Sequence, residues 1–401
     1  MKTCFEIIDI SLQAVCALVT DGTHDSPKIR DTGIPFIKGK NISSGVINFN
    51  DCDFISEEDH EICKKRVKPE VGDVLLANIG SVGDVARVTS EQEFSIKNVA
   101  LLRPNPSQVN SLFFYYITRS SEFKKGILNL RLGSAQPYIS LENLRSFRIQ
   151  IPVDKSKQYE IANVLRQYDN LIANNRRRIE LLEQAARLLY KEWFVHFRFP
   201  GHELVKIVDG VPDGWSRVTL VNLCHDIRVS IDPSSVPSET PYIGLEHIPR
   251  RSITLSEWGH SREVASNKFT FKAGDILFGK IRPYFHKVGF ALVDGITSSD
   301  AIVVRSVESK LQQYCLTLLS SDEFVSLASK TVREGSKMPR ADWNYLQKCK
   351  FLRPADKTLE EFNLIIEPMV EQMRTLALQS RRLAEARDLL LPRLMNGEIA
   401  I

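Results

Sequence analysis

The amino-acid sequence contains a long internal repeat at a spacing of 201 or 202 residues. The string GDVLL at 72–76 recurs as GDILF at 274–278, and the pair GS at 133–134 recurs at 335–336. A repeat unit of that length is a whole domain followed by a helix, and not a short solenoid repeat. The chain must therefore fold into two similar bodies. Two similar bodies give one chain two similar binding surfaces, which indicates a target with two halves.

Composition limits the class of protein. The 401 residues are enough for two or three domains, and 43% hydrophobic with 25% charged residues is typical of globular proteins. No apolar run approaches the roughly 20 residues of a membrane span, so we expect no membrane partner. Seven cysteines without a CxxC pair favour free thiols and a cytoplasmic location. The net charge of +4 permits nucleic-acid binding without demonstrating it.

The repeat and the local patterns divide the chain into five segments. Domains with alternating β-formers and glycine turns are predicted at 1–152 and 213–354. Long helices are predicted at 153–196 and 355–401, and a linker broken by Pro and Gly at 197–212. The predicted fold class is α+β, with two tandem mixed α/β domains separated and spaced by two long helices that form an antiparallel coiled coil.

The two long helices are predicted from heptad spacing, in which apolar residues recur in steps of four and three. The seam of the first helix is Ile161, Leu165, Tyr168, Ile172, Asn175, Ile179, Leu182, Ala186, Leu189 and Trp193. The seam of the second helix is Phe362, Ile366, Met369, Met373, Leu376, Ser380, Leu383, Arg387, Leu390 and Leu394. The outer face of the first helix is predicted to carry Arg176, Arg177, Arg178, Glu180 and Glu183.

The seams overlap fully in the antiparallel register in which paired residue numbers sum to 555. This register places Asn175 opposite Ser380, and the stem of Arg387 against the ring of Tyr168. Pro368 lies inside the second seam and should kink or restart that helix.

Several strings, taken in order over nearly the whole chain, resemble the specificity subunit of type I restriction-modification enzymes. They are DGTH at 21–24, IPFI at 34–37, GDVL at 72–75, GSVG at 80–83 and LPRLMNGEI at 391–399. The resemblance implies two target-recognition domains that bind a bipartite double-stranded DNA site, one half-site each. It also implies docking of two methyltransferase subunits and of restriction subunits, which are motor-nucleases. The chain itself would do no chemistry and hold no cofactor, because S-adenosylmethionine belongs to the methyltransferase.

The helix pair agrees with a bipartite DNA target. At 1.5 Å per residue the heptad stretch 158–194, which has no Gly or Pro, would span roughly 55 Å, about one and a half duplex turns. We interpret the pair as a ruler that sets the number of unread base pairs between the half-sites. The second copy lacks the DGTH string and replaces the second glycine hairpin with the basic segment 279–285. Such divergence is expected of two domains that read different half-sites.

Paired loops that carry the Gly-Ser repeat are the first candidates for DNA contact. Glycine and serine let the backbone approach a phosphate, and longer polar side chains reach base edges. The candidates are Arg131, Ser134, Gln136 and Tyr138 in the first copy, and Arg333, Ser336, Lys337 and Arg340 in the second. Gln136 suits adenine, whereas Lys337 and Arg340 suit guanine or a phosphate. The alternative is a turn that only enters the closing strand.

Two further clusters are candidates. Lys38, Lys40 and Asn41 surround a glycine and suit a phosphate, although exposed lysine turns are common. Lys280, Arg282, Tyr284 and Lys287 form the densest basic-aromatic cluster, for which the alternative is a solvated hairpin face.

Catalysis is not indicated. The sequence has no GxxxxGK[ST] loop, no Asn/Asp-Pro-Pro-Tyr/Phe methyltransferase string and no nuclease carboxylate cluster with a lysine. His24 beside Asp21 and Asp25 lacks a second His or Cys at ligand spacing, so no metal site is predicted. The alternative function is a coiled-coil scaffold that binds only protein, which would not need two diverged domains with polar loops.

Overall fold

The structure, a computed structural model, describes residues 4–43, 45–80, 82–132, 137–332 and 338–399. Tertiary contacts divide the chain into two compact units. The first unit is Met1–Asn170 with Leu383–Ile401, and the second unit is Leu171–Arg382. Each long helix therefore contributes residues to both units. Within the described residues, no helix is both long enough and apolar enough to cross a membrane.

The first unit is built on two small sheets. The antiparallel four-stranded sheet has the spatial order Cys16–Asp21, Ala100–Pro104, Val74–Leu76 and Val85–Arg87. The three-stranded sheet has the order Asp53–Ile55, Ile34–Lys38 and Ser95–Lys97. Two-stranded pairs join Ile7–Ser11 to Arg148–Pro152 and Ile42–Ser43 to Val46–Ile47. The shorter helices are Leu12–Val15, Gly39–Asn41, Glu57–Arg66, Ser111–Arg119, Ser121–Asn129 and Leu141–Ser146.

The second unit has two five-stranded sheets. The order of one is Cys224–Ile227, Ala301–Ser306, Ile276–Gly279, Val288–Ala291 and Thr254–Leu255. The order of the other is Ser230–Ile231, Lys268–Phe271, Gly295–Thr297, Pro241–Ile243 and Gly259–His260. Strand pairs join Ser216–Thr219 to Lys350–Arg353 and Ile207–Val208 to Val211–Pro212. The shorter α-helices are Gln312–Leu319, Asp322–Lys330 and Trp343–Lys348. The 3₁₀ turns are His202–Leu204, Leu220–Asn222, Pro233–Ser235, Leu245–His247, Ser261–Glu263, Pro283–Phe285 and Ser309–Leu311.

The two units repeat one topology, so the predicted pair of tandem mixed α/β domains is confirmed. In the first unit, the strand Val74–Leu76 lies between its hairpin partner Val85–Arg87 and the later strand Ala100–Pro104. In the second unit, Ile276–Gly279 lies in the same way between Val288–Ala291 and Ala301–Ser306. The helices Ser111–Arg119 and Ser121–Asn129 correspond to Gln312–Leu319 and Asp322–Lys330. Apolar side chains of these strands and helices form a large core cluster in each unit, and other side chains of the same strands belong to a smaller cluster. The copies differ in detail. The first unit has a helix of 10 residues, Glu57–Arg66, that the described residues of the second unit lack.

Polar residues begin these short helices at matching places. The side chains of Asn110, Ser120 and Ser140 accept backbone N–H bonds at helix N-termini of the first unit. Ser321 and Asp342 do so in the second unit. Each cap satisfies an N–H group that has no partner within its helix. Two of these caps recur in both copies, whereas Leu311, at the place of Asn110, makes no side-chain cap.

The recurring Gly-Asp string forms the same buried corner twice. Gly72 and Gly274 have φ values of 101° and 90°, which favour glycine. The carboxylate that follows is buried and holds an arginine in two bonds. Asp73 accepts from Arg103 at 2.9 and 2.8 Å, and Asp275 accepts from Arg305 at 2.7 and 2.8 Å. This string therefore belongs to the frame of each unit.

The long helices run Lys155–Tyr190 and Asp356–Met395, and a π-helical turn, Lys191–Val195, extends the first. All predicted seam residues are buried or half-buried. In the second unit the rings of Trp193 and Phe362, whose numbers sum to 555, lie 5.7 Å apart, in the predicted antiparallel register. The second helix continues through Pro368, so the predicted restart is wrong. The buried Ile366 and half-buried Met369 beside it offset the lost backbone hydrogen bond.

The guanidinium of Arg387 has carboxylate partners that the sequence did not predict. It binds the carboxylate of Asp169 and, at 2.8 Å, that of Asp388, and the contact of the Arg387 stem with the ring of Tyr168 stays a prediction. The second oxygen of Asp169 accepts the hydroxyl of Tyr116 at 2.7 Å and a guanidinium N–H of Arg119 at 3.2 Å. A cation on the seam of the first unit is therefore stabilised by a shared carboxylate.

Glu183 is a second correction, because it lies inside the second unit and not on the outer face. The residue is 6% exposed. Its Oε1 accepts the backbone N–H groups of Ile253 and Thr254 at 3.0 and 2.9 Å, and the hydroxyls of Ser252 and Thr254 at 2.8 Å. Glu183 thus fastens the segment 252–254 to the first long helix.

Candidate nucleic-acid interface

In the second unit the structure brings together two of the clusters predicted from sequence. The carbonyl of Lys280 accepts the N–H of Ala341 at 2.9 Å, and the N–H of Arg282 donates to the carbonyl of Pro339 at 2.7 Å. A bridge between Ile281 and Arg340 completes the contact. The segments 280–284 and 338–341 therefore form one continuous surface, which we call the second edge.

The first unit forms the same contact at positions 202 residues earlier. The N–H of Ile139 donates to the carbonyl of Asn78 at 3.0 Å, and the N–H of Gly80 donates to that of Pro137 at 3.4 Å. Ile79 and Tyr138 form the matching bridge. We call the segments 78–80, 82 and 137–139 the first edge. The backbone frame of the two edges is shared.

The side chains on this shared frame differ. Among the described positions, the first edge carries Asn78, Gly80, Val82 and Tyr138, and the second edge carries Lys280, Arg282, Tyr284 and Arg340. Tyr138 is 43% exposed and Tyr284 is 57% exposed, so each edge presents an aromatic ring. The first edge is neutral at these positions, whereas the second carries three cations. One frame thus supports two chemically different surfaces.

Arginines of the second unit flank the ring of Phe285. The guanidinium carbons of Arg250 and Arg282 lie 4.2 and 5.8 Å from its centroid, and the ring of Tyr284 meets it edge-on at 5.0 Å. Arg282 has φ 47°, a left-handed conformation that turns the chain at this point. Sequence reasoning missed Arg250, although the pair Arg250-Arg251 was visible. Exposed rings with arginines suit stacked bases and phosphates.

Lys287 is less available than the sequence suggested. Its ammonium group donates to the carbonyl of Leu245, and the side chain is half-buried. Burial and the nearby Arg250 lower the pKa of Lys287, and Glu246 raises it in part. Lys287 therefore supports the backbone under the second edge.

The Lys38–Asn41 cluster forms an internally bonded turn. Lys38 Nζ lies 2.6 Å from Asp53 and Lys40 Nζ lies 3.6 Å from it. The hydrogen bond from Lys38 lowers the pKa of Asp53, and burial raises it in part. Asn41 is 2% exposed, accepts the N–H of Lys38 at 3.0 Å and donates to the carbonyl of Asp51 at 2.9 Å. Asn41 thus positions the turn and presents no free group to a ligand.

Several predicted candidates lie outside the described residues, namely Ser134, Gln136, Arg333, Ser336 and Lys337. Arg131 is exposed, and its Nε donates to the carbonyl of Leu128 at 3.0 Å. Leu132 and Tyr138 exchange backbone bonds of 2.8 and 2.9 Å, which closes this loop at its base.

His24 has polar partners of its own. Its Nε2 lies 3.1 Å from Asp21, and its Nδ1 lies 2.9 Å from the side-chain oxygen of Asn98. Across the described ranges, no group of three or more His, Cys, Asp or Glu side chains is arranged to hold a metal ion.

Comparison with known proteins finds similar sequences among type I restriction enzymes. Residues 10–184 match the model of the type I restriction modification DNA specificity domain. The MjaIX type I restriction enzyme specificity subunit of Methanocaldococcus jannaschii is 24% identical over 96% of this chain and 91% of its own length. The HindI specificity subunit of Haemophilus influenzae is 22% identical over 75% of this chain and 80% of its own.

A solved structure has the same fold. The S subunit of a type I restriction-modification system from M. genitalium matches 98% of this chain and 97% of its own, with a TM-score of 0.56 at 15% identity. The family model, the relatives and the fold agree with the strings that suggested the resemblance. The chain is similar over nearly its whole length to type I restriction-modification specificity subunits, and residues 10–184 match the DNA specificity domain of that family.

Proposed function

We propose that this chain is the sequence-specific DNA-binding subunit of a type I restriction-modification complex, and that each unit binds one half of a bipartite duplex site. The observation that carries the proposal is the pair of edges. An identical backbone frame bears Asn78, Gly80 and Tyr138 in one unit and Lys280, Arg282 and Arg340 in the other. Two protein-only docking surfaces would have no need of one frame with different polar contacts, whereas two half-sites of different sequence would.

The proposed partners are those that the resemblance to type I restriction-modification specificity subunits implies. Two methyltransferase subunits would dock on this chain and bring S-adenosylmethionine, and restriction subunits would join them. The chain would supply recognition and no catalysis. Exposed leucines on the long helices support a surface that partners cover, and they are Leu171, Leu181, Leu188, Leu364 and Leu389.

A binding experiment on the complex with its methyltransferase tests the proposal. Duplexes selected from a random library should share two fixed half-sites, each lost independently when its own bases are scrambled. Arg282→Gln and Arg340→Gln should weaken or relax only the half-site of the second unit, by about 1–3 kcal/mol for a base contact. Lys272→Gln is the matched control, since this exposed cation precedes the strand Ile276–Gly279 whereas the second edge follows it.

An absence of any preferred bipartite duplex at physiological salt, with the partner bound, would contradict the proposal. That outcome would favour the alternative of a coiled-coil scaffold that binds only protein.

A further inference from the structure

A cleft of about 380 Å³ opens beside the second edge, within the second unit. Its lining combines cations with apolar walls, and includes Arg228, Lys280, Arg340, Phe269, Ile302 and Trp343. The edge and the cleft share Lys280 and Arg340. The cleft is several times larger than one phosphate group, so it also has space for the sugar attached to it.

Carboxylates share this cleft with the cations, because Asp226 and Asp342 also line it. Arg228 binds the carboxylate of Asp226, which also accepts from Gln347 at 2.9 Å. Arg340 lies 3.5 Å from Asp300. Burial lowers the pKa of Lys280, Asp300 raises it, and Arg340 and Arg228 lower it again, with a lowered pKa as the result. The two arginines thus act against the charged form of the nearby Lys280, and an anion placed beside Lys280 would stabilise that form.

The first unit has different charges at the equivalent positions. Asn78 and Tyr138 correspond to Lys280 and Arg340 by the matching backbone bonds of the two edges. Asp21 pairs with Ala100 at the end of its strand. Arg228 has the equivalent place in the second unit, because it follows Ile227, which pairs with Val303. At these three positions the first unit therefore has one carboxylate and two neutral side chains, whereas the second unit has three cations.

We propose that this cleft binds a phosphodiester group of the DNA backbone beside the half-site of the second unit, and that the first unit makes no such contact at Asp21, Asn78 and Tyr138. The inference rests on the proposed function. Its chemistry fits any phosphate ester, but the cleft adjoins the edge that would face the duplex, which favours DNA over a free nucleotide. A phosphate contact of this kind fixes the register of a protein on the duplex and reads no sequence.

The salt dependence of DNA binding by the methyltransferase-bound complex tests this contact. In a plot of log K against log salt, one lost phosphate contact lowers the slope by about 0.9. The Arg228→Gln/Lys280→Gln/Arg340→Gln variant should lose about that much and weaken binding. Because Arg340 is also a candidate for base contact, Arg228→Gln and Lys280→Gln are tested singly, and each should weaken all duplexes equally. Lys272→Gln should keep the slope of the unaltered protein.

A second readout needs no DNA. The protein has four tryptophans, and a Trp343→Phe variant assigns the Trp343 signal in fluorine NMR of protein labelled with 5-fluorotryptophan. Dimethyl phosphate, a diester probe, should shift this signal in the unaltered protein and leave it in place in the Arg228→Gln/Lys280→Gln variant.

The outcomes separate the two proposals. Unchanged slopes in the variants, with half-site preference kept, would overturn the phosphate contact and leave the proposed function standing. A Trp343 signal that responds to deoxythymidine monophosphate but not to dimethyl phosphate, together with unchanged slopes, would assign the cleft to a free nucleotide and also overturn it. Loss of the bipartite preference in the unaltered protein would refute the proposed function, and with it the DNA contact.

Discussion

At the scale of single residues, the strings that repeat most faithfully are structural. Asp73 and Asp275 each hold an arginine and also accept a backbone N–H, from Glu70 at 2.8 Å and Lys272 at 2.7 Å. A buried carboxylate without these donors would be costly. The repeat of Gly-Asp therefore reports a shared corner, and the residues that differ between copies carry the information about ligands.

Removal of the charge at this corner should destabilise each unit separately. Asp275→Asn keeps the shape of the side chain but weakens the bonds from Arg305 and Lys272, at a cost of about 1.5–3 kcal/mol. Hydrogen exchange measured by mass spectrometry should show faster opening in the second unit alone. Asp73→Asn should give the mirror-image result in the first unit. Equal loosening of both units by one variant would contradict two independent corners.

His286 should make the second unit sensitive to acid. Burial lowers its pKa from the ordinary value of 6.5, the Ser320 carbonyl raises it, Arg251 lowers it, Asp322 raises it and Arg187 lowers it. The unfolded chain therefore takes up a proton that the folded unit resists. Stability is full above pH 6.5 and is lost as the pH falls from there through the lowered folded-state pKa.

The measurement is the opening free energy of the second unit at pH 7.5 and at pH 5.5. His286→Asn should reduce the loss at acid pH, and asparagine tolerates the φ of 54° at this position. The first unit provides an internal control. The same acid loss in the variant and in the unaltered protein would rule out His286 as the cause.

At the scale of elements, periodicity predicted what is local. The heptad pattern located both long helices, their buried seams and the register that Trp193 and Phe362 share, since a seam needs only spacing in the sequence. Periodicity could not predict contacts between residues that are distant in the sequence. The Asp169–Arg387 pair spans 218 residues and the Glu183–Ile253 bond spans 70, and both depend on the fold as a whole. For the same reason the two segments of the second edge were predicted as separate clusters, and of the first edge only Tyr138 was predicted to contact DNA.

Glu183 should be the most sensitive polar position on the first long helix. Glu183→Gln removes the charge that accepts from residues 252–254, and we expect a cost of roughly 1–3 kcal/mol to the second unit. Glu180→Gln is the matched control one turn earlier on the same helix. Glu180 is exposed and pairs with Arg177 at 3.0 Å, so its loss should cost at most about 0.5 kcal/mol. Equal effects of the two variants would contradict the buried anchor.

At the scale of the molecule, the two units share one backbone frame and carry edges with different side chains. The topology, the Gly-Asp corner and two of the helix caps are shared by both units, whereas the edges differ in charge at equivalent positions. Duplication explains the frame, and the proposed target with two unlike halves would explain the difference. This division follows from the sequence repeat once the structure identifies which positions of each copy form an edge.

The ruler interpretation predicts the effect of shortening both long helices by one heptad. Deletion of 174–180 together with 375–381 removes facing layers whose numbers sum to 555, so both seams keep their phase. Each helix becomes about 10 Å shorter, close to three base pairs of duplex. Selection from a library with variable spacers should then yield the same two half-sites separated by about three fewer base pairs. An unchanged spacer with unchanged half-sites would show that the helices do not set the distance between the half-sites. Other contacts would then have to set it.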